Sequence, residues 1–149
     1  LVRHHKTLAI AESCTGGLVS DRITNVPGSS RYFLFSVVAY HNHAKQRVLG
    51  VSPTLLARYG AVSAPVAKAM AQGVRLKASA GIGLAMTGIA GPTGGTPKKP
   101  VGLVYVALAD RTHTSVKRVF FHGDRLAIKD QTSQLALDWL RRWVSGLAD

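Results

Sequence analysis

Cysteine is almost absent from this chain. Cys14 is the single one, so no internal disulfide is available to staple the fold, and a reducing, cytoplasmic compartment is expected. Acidic residues are scarce as well, 7 Asp and Glu against 19 Lys and Arg, which argues against a mechanism built on paired carboxylates. The six histidines, His4, His5, His41, His43, His113 and His122, lack Cys or carboxylate partners at ligand spacing, so no metal site is expected. Aromatic residues make up only 7% and are not interleaved with the basic ones, as a stacking platform for single-stranded nucleic acid requires. No apolar run approaches the roughly 18 residues of a membrane span. No secretory leader pattern precedes the first strand-like run.

What is present is a chain of 149 residues with 46% hydrophobic content, enough for one domain over residues 1–149 with its own core. The opening L-V-R-H-H-K, without Met, reads as the stump of a helix whose earlier turns are missing. Thr7 to Ala11 reads as a short buried strand. Leu18 to Val26 reads as an amphipathic helix stopped by Pro27 and Gly28. Arg31 to Tyr40, aromatic and β-branched, reads as a strand, as do Ile82 to Thr87, Val101 to Ala109 and Thr114 to Phe121. The last two form a hairpin around Asp110 to His113. Ser52-Pro53, Ser63 and Asp124 mark helix starts, and Ile128, Thr132, Leu135, Trp139 and Trp143 form one stripe of the last helix. Alternating strands and helices predict a layered α/β domain, and the late strand pair makes the sheet mixed. No internal repeat or linker interrupts it.

Two turns carry the chemistry. The first, A-E-S-C-T-G-G (Ala11 to Gly17), joins a strand to a helix, where backbone N–H groups converge and favour anions and polarised oxygens. The second, T-G-I-A-G-P-T-G-G (Thr87 to Gly95), follows another apolar run. Neither matches the P-loop, the dinucleotide fingerprint or the G-x-S-x-G elbow. Glu12, inside the first turn, is expected to cap or hold it. Lys45 follows a buried strand closely, and a partly desolvated lysine has a lowered pKa and can act as a base. A serine within reach becomes an activated nucleophile, and Tyr40 is placed to orient the lysine or relay its proton. Cys14 is expected to be a small buried residue rather than a nucleophile.

These segments together resemble the CinA C-terminal domain family of nicotinamide mononucleotide (NMN) deamidases. The resemblance rests on A-E-S-C-T-G-G (11–17), V-P-G-S-S-R-Y-F (26–33), V-V-A-Y-H-N-H-A-K (37–45), L-G-V (49–51), G-A-V-S (60–63), T-G-I-A-G-P-T-G-G-T (87–96), K-P-V-G (99–102) and G-D-R (123–125), in the family's order over almost the whole chain. It implies a three-layer α/β/α domain that hydrolyses the carboxamide of NMN to nicotinate mononucleotide and ammonia, with no cofactor. It implies Ser30 and Lys45 as the catalytic pair with Tyr40 beside them, and Ser13 as the second candidate for the nucleophile. The Ser13 to Gly17 turn, including Thr15, Gly16 and Gly17, is expected to supply oxyanion and substrate contacts. Thr87, Gly88, Ala90 and Gly91 are expected to hold ribose and phosphate, and Arg125 to pair with the phosphate. A homodimer is expected, as in similar proteins.

Some positions depart from the family's pattern. Ser36 stands where glycine is usual, His41 where serine is usual, Gly81 where aspartate is usual, and Lys129 where a second arginine is frequent. The net charge of +12 motivates a second reading, a non-catalytic nucleotide- or nucleic-acid-binding module, with Lys68, Arg75, Lys77, Arg141 and Arg142 on its basic faces. An amidase acting on another small amide is the third.

Overall fold

The computed structural model describes residues 1–147. A short 3₁₀ turn, Val2–His4, leads into β1 (Leu8–Glu12) and α1 (Leu18–Thr24). A second 3₁₀ turn, Ser29–Arg31, precedes β2 (Phe33–Val38). Three helices follow: α2 (Asn42–Leu49), α3 (Pro53–Tyr59) and α4 (Ala64–Lys77). Then come β3 (Ile82–Gly88), β4 (Leu103–Ala109), β5 (Thr114–Phe120) and α5 (Arg125–Val144). The five strands form one sheet in the order β2-β1-β3-β4-β5. β2, β1 and β3 are parallel, whereas β4 and β5 run antiparallel. This is the mixed three-layer α/β fold that the sequence predicts. Among the described residues no helix is long and apolar enough to cross a membrane.

The two faces of the sheet differ in the size of their side chains. Leu8, Ile10, Ile82, Leu84, Met86 and Val106 point to the side covered by α1 and α5, where Ile23, Ile128 and Trp139 complete the core. Ala9, Ala11, Ala85, Ala107 and Ala109 point to the other side, against Val66, Met70 and Val74 of α4. Alternation of large and small residues along β1 and β3 therefore lets α4 pack closely on the central strands. The close layer leaves no room at Gly83, where a Cβ would stand 2.0 Å from the carbonyl oxygen of Ala71 on α4. Trp139 is buried in the core and meets Trp143 edge-on, so this stripe packs beneath the sheet.

One element was not expected. The segment after β2 does not stay extended but forms α2, which carries Lys45. Its signals are local: His41 caps it by accepting the N–H of His43 on Nδ1, and Gly50 ends it with φ +67°. A second detail differs as well. Ser63 precedes α4 but does not cap it, and its hydroxyl donates to Gly60 O at 2.9 Å.

The close packing at Gly83 predicts that Gly83→Ala forces α4 away from β3 and costs about 1–3 kcal/mol, the usual range for overpacking. Thermal unfolding of the variant checks this, and an unchanged melting temperature refutes it.

Candidate active site

The three parallel strands end on the same side of the sheet, β1 and β3 followed by the two expected turns and β2 by α2. The chain leaves β1 to one side for β2 and returns on the other side for β3. The strand order thus reverses around β1, and such a switch point opens a crevice beyond the C-terminal strand ends. Ser13 follows β1 there, Tyr40 and Lys45 follow β2, and Thr87 and Gly88 end β3. A cavity of about 200 Å³ lies among them. Arg125, at the start of α5, and Ala61 and Val62, between α3 and α4, complete its wall.

Lys45 lies at the bottom of this cavity and is 1% exposed. Its Nζ donates to Ser13 Oγ at 3.1 Å, to Ala39 O at 2.7 Å and to Tyr40 O at 3.0 Å. Burial of the amine lowers its pKa below the usual lysine value, because the charged form loses hydration. Once neutral, the amine keeps two N–H donors and gains a lone pair. The two carbonyls hold both donors, so the lone pair is left facing Ser13 Oγ. The Ser13 hydroxyl then becomes the donor, in the arrangement a general base requires.

Glu12 holds the turn that carries Ser13. It is fully buried, and its carboxylate accepts four hydrogen bonds. Oε2 takes the N–H of Gly17 at 2.9 Å and of Val19 at 3.2 Å. Oε1 takes the N–H of Ser20 at 2.8 Å and its hydroxyl at 2.6 Å. The position before α1 is Gly17, which has no side chain to cap with, and Glu12 reaches across from β1 to do so. The left-handed conformations of Gly16 (φ +64°) and Gly17 (φ +102°) close the turn tightly enough for this reach. The first N–H groups of α1 are therefore already engaged and are not free to bind a ligand. Thr15 is buried in the same turn, and its hydroxyl has no hydrogen-bond partner.

Most of the expected site residues meet here. Ser13, Lys45, Thr87, Gly88, Ala90 and Arg125 line the cavity. Tyr40 also lines it, but its phenol does not touch the lysine: the hydroxyl accepts from Arg125 Nη2 at 2.8 Å, and the backbone carbonyl is what contacts Nζ. Arg125 Nη1 donates to Gly91 O at 2.6 Å, so its fork ties Tyr40 to the glycine loop across the rim. Thr87 is tied down too, its hydroxyl donating to Ala61 O at 3.0 Å. Thr15, Gly16, Gly17 and Gly91 shape the surrounding backbone rather than the wall.

Ser30 does not join them. It is exposed in the 3₁₀ turn that enters β2, and β2 pairs in parallel with β1 from Leu8↔Phe33 to Glu12↔Val38. Ser30 therefore lies at the opposite end of β2 from Lys45, and that strand alone spans about 16 Å at roughly 3.3 Å per residue. The resemblance implies Ser30 beside Lys45, but the direction of β2 separates the two. Cys14, Ala61 and Val62 line the cavity and were not expected to. The cysteine sits one residue from Ser13, and the other two belong to the G-A-V-S segment. Burial pushes the Cys14 thiol up to about 12, so it stays protonated and unreactive at neutral pH.

A larger cavity of about 480 Å³ lies between the first residues of the chain and the end of α5. Leu1, Ile23, Tyr32, Leu140 and Val144 give it a largely apolar wall, and no buried titratable group faces it. Volume and chemistry thus point to different places, and the chemistry decides for the smaller cavity.

A buried lysine on a serine, at the strand ends of a mixed α/β sheet, defines a candidate nucleophile site of the Ser-Lys type. The sequence model of the CinA C-terminal domain matches residues 1–144, and the chain belongs to that family. It is 59% identical over 136 residues to a CinA-like protein of Geobacter metallireducens, covering 91% of this chain and 33% of that one. A CinA-like protein of Geobacter sulfurreducens is 60% identical over the same length and share. The chain thus spans about a third of the length of these curated relatives. Among solved structures, the competence damage-inducible protein A of Klebsiella pneumoniae superposes with a TM-score of 0.94 at 32% identity, covering 97% of this chain and 90% of that one. The competence/damage inducible protein CihA of Agrobacterium tumefaciens superposes at 0.90 with 38% identity, covering 92% and 84%.

Two outcomes follow from the buried groups. Cys14 resists alkylation by iodoacetamide at pH 8 in the native protein and reacts readily once unfolded, as read by mass spectrometry. Lys45 binds its proton more weakly folded than unfolded, so the unfolded state holds more protons between its folded pKa and 10.5. The unfolding free energy of the wild type relative to Lys45→Met should therefore rise with pH through that window. A flat difference would show that Lys45 is not desolvated.

Proposed function

We propose that the chain is a nicotinamide-nucleotide amidase that hydrolyses the carboxamide of NMN to nicotinate mononucleotide and ammonia, with Ser13 as nucleophile and Lys45 as base. The observation that carries this reading is the contact between Lys45 Nζ and Ser13 Oγ, with both remaining N–H groups held by backbone carbonyls. The substrate comes from the resemblance to the CinA C-terminal domain family, and the site's own chemistry is compatible with it. The assignment departs from the expected Ser30 because only Ser13 lies within reach of the lysine.

In this reading Ser13 Oγ attacks the carboxamide carbon while its proton passes to neutral Lys45. The oxyanion needs donors, and Glu12 has taken those of Gly17, Val19 and Ser20. In this reading the N–H groups of Cys14 and Thr15, which directly follow the nucleophile, would turn to that role. The tetrahedral species collapses as the C–N bond breaks, and Lys45 returns the proton to the departing nitrogen as ammonia. Water then attacks the acyl ester, Lys45 accepts its proton, and that proton goes back to Ser13 as the carboxylate leaves. Every step is proton transfer and acyl transfer, and no cofactor enters the balance. Arg125 and the Thr87 to Gly91 turn would meet the ribose phosphate at the rim.

The test is ammonia release from NMN by the purified protein and its variants. Ser13→Ala and Lys45→Ala are expected to lower kcat by about 10³-fold or more, as losses of a nucleophile or its base do. Ser30→Ala is expected to keep kcat within twofold. Loss of turnover in Ser30→Ala with retention in Ser13→Ala would reverse the assignment.

A further inference from the structure

Ser36 is one of the positions where this chain departs from the family's pattern, and its side chain has a definite partner. It lies in β2 on the face toward α1, where Ser36 Oγ and Ser20 Oγ stand 2.5 Å apart. The direction of this hydrogen bond follows from the next one. The Ser20 hydroxyl donates its single proton to Glu12 Oε1 at 2.6 Å. Ser36 must then donate to Ser20. Three side chains from β2, α1 and β1 form one directed chain, Ser36 to Ser20 to Glu12.

Glu12 is the residue immediately before Ser13. Its backbone carbonyl accepts the N–H of Ala39 at 2.8 Å, next to the carbonyl that holds Lys45. Its side chain pins the first turn of α1. One residue thus ties the nucleophile turn to the base on one side and to the helix on the other. We propose that Ser36, Ser20 and Glu12 form a positioning relay that sets the distance between Ser13 Oγ and Lys45 Nζ. This inference rests on the Ser13–Lys45 reading above. None of the three touches the substrate. They act by restricting where Glu12, and hence the turn, can sit.

The relay makes a kinetic signature. Ser20→Ala breaks it in the middle and leaves the cavity wall untouched. Its kcat for ammonia release from NMN should fall about tenfold with KM changed less than twofold, because misplacement of a reacting group weakens chemistry rather than binding. Ser20→Thr restores the hydroxyl and should restore kcat. Ser36→Gly should lower kcat about threefold on its own and have no further effect on the Ser20→Ala background, as members of one network are not additive. An unchanged kcat in Ser20→Ala, or a fall that Ser20→Thr does not rescue, overturns the relay.

A second measurement separates the relay from the substrate assignment. Phenylmethanesulfonyl fluoride can modify Ser13: the Oγ–S bond forms, the S–F bond breaks, fluoride leaves and the proton passes to Lys45. Intact mass follows the rate without any amide. If the wild type releases no ammonia from NMN yet Ser20→Ala slows sulfonylation of Ser13 about tenfold, the substrate reading fails and the relay stands. If the wild type turns over NMN and both rates are unchanged in Ser20→Ala, the relay fails and the substrate reading stands. Absence of Ser13 modification together with absence of NMN turnover in the wild type overturns both.

Discussion

Lys45 has its amine at the bottom of the cavity and shares it with backbone carbonyls and one serine hydroxyl. A charged amine in such a place has given up its hydration, and nothing in its immediate hydrogen bonding is a carboxylate. Burial shifts its pKa downward in consequence, and once the proton is gone the lone pair has a single direction left to it. The rest of the site depends on this. Ala39 and Tyr40 matter through their carbonyls, which requires β2 to end where it does. Ser13 matters through its position, which requires β1 to end beside β2 in parallel register.

The packing of the sheet makes that arrangement possible. Alanines on one face let α4 approach closely, and Gly83 removes the last obstacle. A closer α4 brings the segment before it, with Ala61 and Val62, over the strand ends. Thr87 fixes that segment through Ala61 O. On the other face, large side chains keep α5 at a distance that leaves Arg125 at the rim, where it bridges Tyr40 and Gly91.

The scarcity of acid gains meaning in the structure. Glu12 holds the start of α1, Asp124 caps α5 by accepting the N–H of Ala127, and Asp110 holds the β4–β5 turn through Thr112 and His113. These carboxylates are engaged by backbone N–H groups rather than by the 19 Lys and Arg. Most of the basic charge is left for the surface. Such a field attracts anions in general and is screened within about 10 Å at ordinary salt, so it assists encounter rather than defining a site.

Much of this protein was legible from residues alone. Strand and helix order, the mixed sheet and the glycine turns follow from local patterns of period-two burial and caps, and the lysine placed just after an apolar strand is indeed buried. The helix that carries Lys45 was missed because its signals are weak and its capping residue is a histidine. The serine that meets Lys45 is Ser13 and not the expected Ser30, for a different reason. Ser13 and Ser30 are equally plausible as distances along a chain, and no local rule says which end of a parallel strand faces a later residue. Only the pairing of β1 with β2 decides it, because parallel register puts both C-terminal ends on one side and sends Ser30 to the other. The same holds for the Glu12 carboxylate, whose four donors lie five to eight residues away and converge only once two left-handed glycines have folded the turn back. Residue type determined which chemistry was available, and strand direction decided which groups could share it.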